Sequence, residues 1–256
     1  MPKNLTQKYT PDDNKTWSSL LIRRKEALPV EACEIYLQGL ENLQLPISRI
    51  PRVAEINKLI QPFSEWRMVP RTELISPRSY FKMLAEFKFP VITSIRPRDA
   101  IDYYSSPKPD VIHEYFGHAP FLTIAAYANF LQRLAQKAMS YDAEQQILLG
   151  RLFWFTIEFG LINTPLGLRV FGAGIIPSKS ETKHALYDIS AVRKPLNILD
   201  ILCTPISFLT KQKNYYIIPN LDALYSLLDQ DLSPYLSRAL EYTKHKTPNH
   251  AYSKFF

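Results

Sequence analysis

Three ionisable side chains, His113, Glu114 and His118, stand close together in the otherwise apolar stretch Pro109–Leu122, PDVIHEYFGHAPFL. Polar groups in such surroundings need partners, and a metal ion is one of the best. Histidines four residues apart would stack on one face of an α-helix, as in the HExxH zinc proteases. Here they stand five apart, which swings them roughly 140° around a helix of 3.6 residues per turn. Both reach one metal if His113 lies near the helix start, where the chain is not yet committed to that rotation. Pro107 and Pro109 block an earlier helix and Asp110 is a good N-cap. Asp110 is equally well placed to fix the other ring nitrogen of His113.

A third ligand is offered by Phe153–Ile162, FWFTIEFGLI, where Glu158 is the one charged residue of an aromatic and aliphatic run. A carboxylate buried there calls for a cation. Arginine or lysine could serve. Two imidazoles and one carboxylate, however, form the facial triad of non-haem Fe(II) oxygenases, which leaves positions open for O2. Taken without Glu158, a capping His113 and a packed His118 would explain the pattern as well.

The elements that must position these residues are mostly helices. Thr16 is placed to cap a helix with apolar positions Trp17, Leu20, Leu21 and Leu28, interrupted at Pro29; Glu31–Leu43 and Val53–Ile60 follow. Trp66–Val69 and Phe89–Arg96 read as strands, with a helix over Ser76–Phe87 between them and Pro77 in its first turn. After the metal segment, Thr123–Ser140 and Ala143–Leu161 are helical, the second carrying Glu158 near its end. Gly172 and Gly174 give the backbone freedom and close approach near a pocket. Ser180–Ile189 is helical, Tyr215–Ile218 a strand, and Asn220 caps a further helix; one short helical stretch lies in the last twenty residues. The expected fold is mainly α (α+β), a single catalytic domain over residues 16–256 after a polar, flexible 1–15.

Bulk properties exclude several classes. At 256 residues and 46% hydrophobic content the chain can bury a sizeable core. No apolar run approaches a membrane span, and the first residues have no secretory apolar region. Cys33 and Cys203 are isolated, as suits reduced thiols in a cytoplasmic protein. The net charge of +7 is scattered, and its densest cluster, Arg23–Arg24–Lys25, reads as the solvated side of a helix and not as a nucleic-acid site.

PDVIHEYFGHAPFL, then FWFTIEFGL, then FGAGI together resemble the pterin-dependent aromatic amino acid hydroxylases, above all the short single-domain bacterial members that act on phenylalanine. The resemblance extends upstream through TWSSLLIRRKEALPVEACEIYLQGLENLQLP, RIPRVAEIN, EWRMVPRTELISPRSYF and FPVITSIR, and covers Thr16 to Tyr216. It implies a largely helical domain whose Fe(II) is held by His113, His118 and Glu158, with a tetrahydropterin supplying two electrons. Tyr80 stands where the family has its pterin-stacking phenylalanine, with Phe81 beside it, and Glu114 matches the carboxylate that contacts the pterin. Arg96 matches the arginine for the substrate carboxylate, with Arg98 a competitor because two extra residues precede His113. Trp154, Phe159 and Pro109 match the apolar walls around the substrate ring. As bare sequence, these aromatic residues would be assigned to the core.

Two departures bear on the substrate. Relatives carry a serine pair where this chain reads Ile176–Pro177–Ser178, so that the hydroxyl that helps hold His113 and the substrate is either missing or supplied by Ser178, and LTKQKNYYII replaces an FQP-containing stretch. The implied reaction is hydroxylation of phenylalanine to tyrosine with O2, with tryptophan 5-hydroxylation the alternative. The resemblance further implies a chain without the regulatory domain and tetramerisation helix of the animal enzymes, hence a monomer or weak dimer without substrate cooperativity. A zinc hydrolase using Glu114 as base, and a silent binding protein that keeps the fold, are the readings from other classes.

Overall fold

The computed structural model describes residues 8–97, 109–206 and 210–244. The first helix, α1 (Pro11–Glu31), begins five residues before Thr16. Its cap is Thr10, whose hydroxyl accepts the Asp13 N–H at 3.1 Å while the Asp13 carboxylate accepts the Thr10 N–H at 2.8 Å. Thr16 is inside the helix and buried, and Pro29 is carried within its last turn without ending it. Arg24 corrects the expectation of a solvated basic face. It is buried, paired with Glu31 at 2.9 Å, and donates to the Ile176 carbonyl at 2.8 Å and the Thr182 hydroxyl at 3.1 Å. One guanidinium thus ties α1 to the chain just beyond the FGAGI stretch.

Helices α2 (Glu34–Leu43) and α3 (Val53–Ile60), strand β1 (Arg67–Arg71), helix α4 (Pro77–Ala85, capped by Ser76) and strand β2 (Lys88–Ile92) follow in order. β1 and β2 pair in parallel as a small separate sheet. The HEYFGH segment runs into the short α5 (Ala119–Leu122), which packs on α2, and then into α6 (Ala125–Met139), which packs on α4. The segment's backbone is anchored by Tyr36, whose hydroxyl donates to the Phe116 carbonyl at 2.8 Å.

The predicted helix over Ala143–Leu161 is shorter: α7 covers Ala143–Phe153, and Leu161 opens strand β3 (Leu161–Thr164). β3 turns through Pro165–Leu166 into β4 (Gly167–Val170), with Gly167 at φ 97°, where a side chain would be strained. A second sheet, ordered β4-β3-β6-β5, is completed by β5 (Val192–Pro195) and β6 (Asn214–Ile218). Around it lie α8 (Lys179–Tyr187), α9 (Ile198–Cys203), α10 (Leu221–Ser226, capped by Asn220) and α11 (Ser233–Lys244). Among the described residues no helix is long and apolar enough to cross a membrane. The fold is mainly α with a few short strands, as expected.

Between α8 and β6 the Tyr215 hydroxyl donates to the fully buried carboxyl of Glu181. Burial raises that carboxyl above its ordinary range, against the lowering effect of Tyr215. A raised carboxyl binds more protons folded than unfolded, so its stabilising contribution is present at low pH and lost as pH rises through the folded pKa. Glu181→Gln should therefore gain on the wild type as pH rises from 5 to 8, by at most about 1.4 kcal/mol per pH unit. Urea midpoints across that range measure the difference, and parallel curves would contradict it.

Candidate metal centre

The two histidines are brought together by a wider helix. His113–His118 is π-helical, and Ala119 N–H reaches back five residues to the Glu114 carbonyl. That i→i+5 bonding sets residue i+5 roughly over residue i, which removes the 140° separation an α-helix would impose. His113 does lie near the helix start, after only Val111 and Ile112, but the π-turn is what aligns the rings. Glu158 is also on such a segment: Trp154–Glu158 is π-helical, with the Phe159 N–H donating to the Trp154 carbonyl at 2.8 Å. All three candidate ligands thus sit on locally widened helices.

Their donor atoms converge. The Nε2 atoms of His113 and His118 are 3.0 Å apart, and Glu158 places Oε1 at 3.1 Å from His118 Nε2 and Oε2 at 3.5 Å from His113 Nε2. Ligands at about 2.1 Å from one ion, at right angles to each other, lie about 3.0 Å apart. The His113–His118 and His118–Glu158 spacings fit neighbouring donors to one ion, and the second Glu158 oxygen faces His113. Burial pulls the His113 imidazole down to about 4, against the pull of Glu158, so the ring is neutral and able to ligate at neutral pH.

Glu114 competes for the carboxylate position, since it too has an oxygen within 4.8 Å of both histidines. Two observations separate the acids. Glu114 Oε1 accepts the Ile92 N–H at 3.2 Å, and burial raises its carboxyl well above the ordinary range. Burial would raise Glu158 as well, but the imidazoles of His118 and His113 outweigh it and hold Glu158 below that range. Glu158 has one carboxylate oxygen within 3.5 Å of each imidazole.

Asp110 is bound to the backbone of His113, accepting its N–H at 3.0 Å, which is the capping role. The same carboxylate accepts the Arg96 fork at 2.6 Å from both Nε and Nη2, and the Arg96 backbone N–H at 3.0 Å. Arg96 is buried and is held at the entrance to the metal helix. Arg98 lies outside the described residues, and Pro109 is half-buried.

The FGAGI stretch lies on the backbone of the Glu158 segment. Ala173 N–H donates to the Ile157 carbonyl and Gly174 N–H to the Glu158 carbonyl, both at 2.8 Å. A Cβ on Gly172 would stand 2.1 Å from the Glu158 carbonyl oxygen, and one on Gly117 2.6 Å from that of Ala173. These glycines let the two metal-bearing segments and the loop close on each other. Gly172→Ala should cost about 1–3 kcal/mol, because the atom it strikes is backbone, and should weaken Fe(II) retention by displacing Glu158. Thermal unfolding and bound iron per chain measure both; an unchanged melting point with full iron would contradict it.

Around the ligands the aromatic residues divide. Tyr80 packs edge-on against Phe153 at 5.4 Å and Phe89 at 6.2 Å and keeps a sliver of exposed surface, whereas Phe81 is fully buried and belongs to the core. Trp154 and Phe159 lie 4.5 Å apart at 31°. Ser178 is fully buried and caps α8, accepting the Glu181 N–H at 3.2 Å. The role shown for its hydroxyl is this cap. One site-side residue was missed in the sequence: Gln212, whose Oε1 accepts the Trp154 indole N–H at 3.2 Å. It falls in the LTKQKNYYII stretch, where the departure from the family pattern was the available signal.

The family model described as biopterin-dependent aromatic amino acid hydroxylase matches residues 4–243. The chain is 35% identical to the phenylalanine-4-hydroxylase of Pseudomonas aeruginosa, over 93% of this chain and 89% of that one. It is similar in structure to the apo, cold-active phenylalanine hydroxylase of Colwellia psychrerythraea, with a TM-score of 0.86 and 33% identity over 97% and 94% of the two chains. The Chromobacterium violaceum phenylalanine hydroxylase with bound oxidised Fe(III) superimposes with a TM-score of 0.87 and 33% identity over 94% and 87%.

Proposed function

The chain belongs to the biopterin-dependent aromatic amino acid hydroxylases, and on that premise we propose that it hydroxylates phenylalanine to tyrosine, using Fe(II), O2 and a tetrahydropterin. The observation that carries the reading is the convergence of His113 Nε2, His118 Nε2 and one Glu158 carboxylate oxygen on each, within 3.0–3.5 Å. Iron and pterin, when bound, together supply the electrons and the activation of O2. The chain supplies the rest. His113, His118 and Glu158 hold the metal and leave one face open. Glu114 and the ring of Tyr80 are the pterin contacts, with Phe81 supporting Tyr80 from behind. Arg96, oriented by Asp110, takes the substrate carboxylate, and Pro109, Trp154 and Phe159 enclose the ring and exclude water. Ser178 contributes by fixing the start of α8 behind that wall.

The test is anaerobic Fe(II) reconstitution, then O2 uptake with tetrahydropterin and either phenylalanine or tryptophan. Phenylalanine-dependent uptake with matching tyrosine is the expected result. 5-Hydroxytryptophan as the sole product would transfer the same chemistry to tryptophan. The zinc-hydrolase reading is not favoured: its base, Glu114, is engaged by the Ile92 N–H.

The protein works, on this reading, as a cytoplasmic monomer or weak dimer, with an aromatic amino acid and O2 as partners and neither nucleic acid nor membrane. A net charge of +7 favours separate molecules. Light scattering should report a mass no greater than a dimer's, and a tetramer would contradict it.

A further inference from the structure

The polar cluster behind the aromatic wall has no part in metal binding. We propose that Gln212 is a positioning residue for ring selectivity: its side-chain carbonyl holds the Trp154 indole N–H and so presents the substrate ring with a purely apolar wall. The inference rests on the reading above that Trp154 and Phe159 enclose the substrate.

Trp154 is the indole next to the metal centre. Its ring lies tilted against that of Phe159, the residue after Glu158, and its exposure of 6% equals that of His113 and Glu158, whereas its neighbours Phe153 and Ile157 are at 0%. On the reading above, that remaining surface is where the indole meets the substrate ring. Its N–H is held inside the protein, donating to Gln212 Oε1 at 3.2 Å.

Gln212 is itself held from outside. Its backbone carbonyl is 3.0 Å from His184 Nε2, and His184 Nδ1 is 3.1 Å from Asp188 Oδ2. The glutamine therefore has a fixed base, on the approach to β6, from which its side chain reaches inward.

The physical consequence follows from the cost of an unpaired buried donor. An indole can turn over about its Cβ–Cγ bond, and the orientation that satisfies its N–H is strongly favoured. With Gln212 present, that orientation keeps the donor paired within the protein. Without it, the N–H is free to turn toward the cleft, where it interacts with polar or heteroaromatic rings and with water. Sites that offer no hydrogen-bonding group to the ring discriminate by shape and apolar contact alone. Gln212 thus favours the unsubstituted phenyl ring through Trp154, without touching substrate.

The test compares the wild type, Gln212→Leu, Gln212→Glu, Trp154→Phe and the double variant Gln212→Leu/Trp154→Phe as Fe(II)-loaded enzymes with tetrahydropterin. Gln212→Leu should lower kcat/KM for phenylalanine about tenfold, chiefly through KM. It should narrow the phenylalanine-to-tryptophan preference and lower tyrosine formed per O2 consumed, with bound iron unchanged. Gln212→Glu keeps an acceptor and should retain the preference. In the Trp154→Phe background there is no N–H to hold, so Gln212→Leu should add nothing further.

An unmoved preference in Gln212→Leu, or effects of the two single variants that multiply in the double one, would overturn the inference. If Gln212→Leu does not fold, Gln212→Met, matched in length and only a weak acceptor, replaces it with the same expectations. A wild type that hydroxylates while these outcomes fail defeats the inference alone. A wild type that binds iron and hydroxylates neither amino acid defeats the proposed function and the inference with it.

Discussion

Glu158→Ala is expected to lose Fe(II) and hydroxylation together while the fold persists. The carboxylate supplies the one negative charge among the three converging ligand groups, at 3.1 and 3.5 Å from the two imidazole nitrogens. Removing it leaves two imidazole rings, which alone bind Fe(II) poorly. Loss of groups that only orient metal ligands already costs 10–100-fold in affinity, so loss of a ligand should cost at least about 100-fold. Glu158→Gln should lose iron as well, since it keeps the size but not the charge. The circular dichroism of both variants should match the wild type, because the π-turn that carries residue 158 is held through its backbone by Ala173 and Gly174. Iron per chain after anaerobic reconstitution and desalting is the measurement. Glu114→Gln serves as the counterpart: it should retain iron and lose affinity for the pterin. If Glu114→Gln lost iron and Glu158→Ala kept it, the two carboxylates would have to exchange roles.

Much of this site was legible because burial of charge is costly. A lone glutamate in FWFTIEFGLI and two histidines in PDVIHEYFGHAPFL point to a shared cation, with an Arg or Lys partner for Glu158 and a capping His113 beside a packed His118 as the other reading, and the helices around them follow from period and caps. What the spacing could not reveal was the π-turn. A five-residue interval reads as a misfit in an α-helix, and i→i+5 bonding leaves no compositional mark, so the start of the helix was credited with an alignment that the wider turn performs. The merging of β3 into the preceding helix has a related cause. Phe153–Ile162 is apolar at almost every position, so neither period stands out, and only Asn163–Thr164–Pro165 marked the turn. Arg24 shows the opposite failure. Its neighbour Arg23 is exposed and Lys25 is half-buried, and nothing local announces that the middle residue meets Glu31, Ile176 and Thr182 in the interior. Contacts 152 and 158 residues away in the chain lie beyond any local pattern.

Asp110→Ala should be the most destabilising single change near the site. Arg96 and Asp110 are both buried and joined by two 2.6 Å bonds. Removing the acid leaves a guanidinium in the interior without its counter-ion, and breaking such a pair from one side costs about 3–5 kcal/mol. Two backbone donors are released as well, those of Arg96 and His113. The first frees the strand-like approach from β2, and the second frees the start of the metal helix. A fall in stability and a fall in iron retention should therefore appear together, unlike Glu158→Ala, where iron is lost from an intact fold. Asp110→Asn keeps an acceptor for one of these donors but not the charge, and should fall between. Chemical denaturation of the metal-free proteins separates the cases: a loss below about 1 kcal/mol for Asp110→Ala would mean that the ion pair is exposed or replaceable. The pair would then no longer explain how Arg96 is oriented for a substrate carboxylate. A large loss, with iron affinity reduced in proportion, would identify Asp110 as the joint through which substrate arginine and metal helix are set by one side chain.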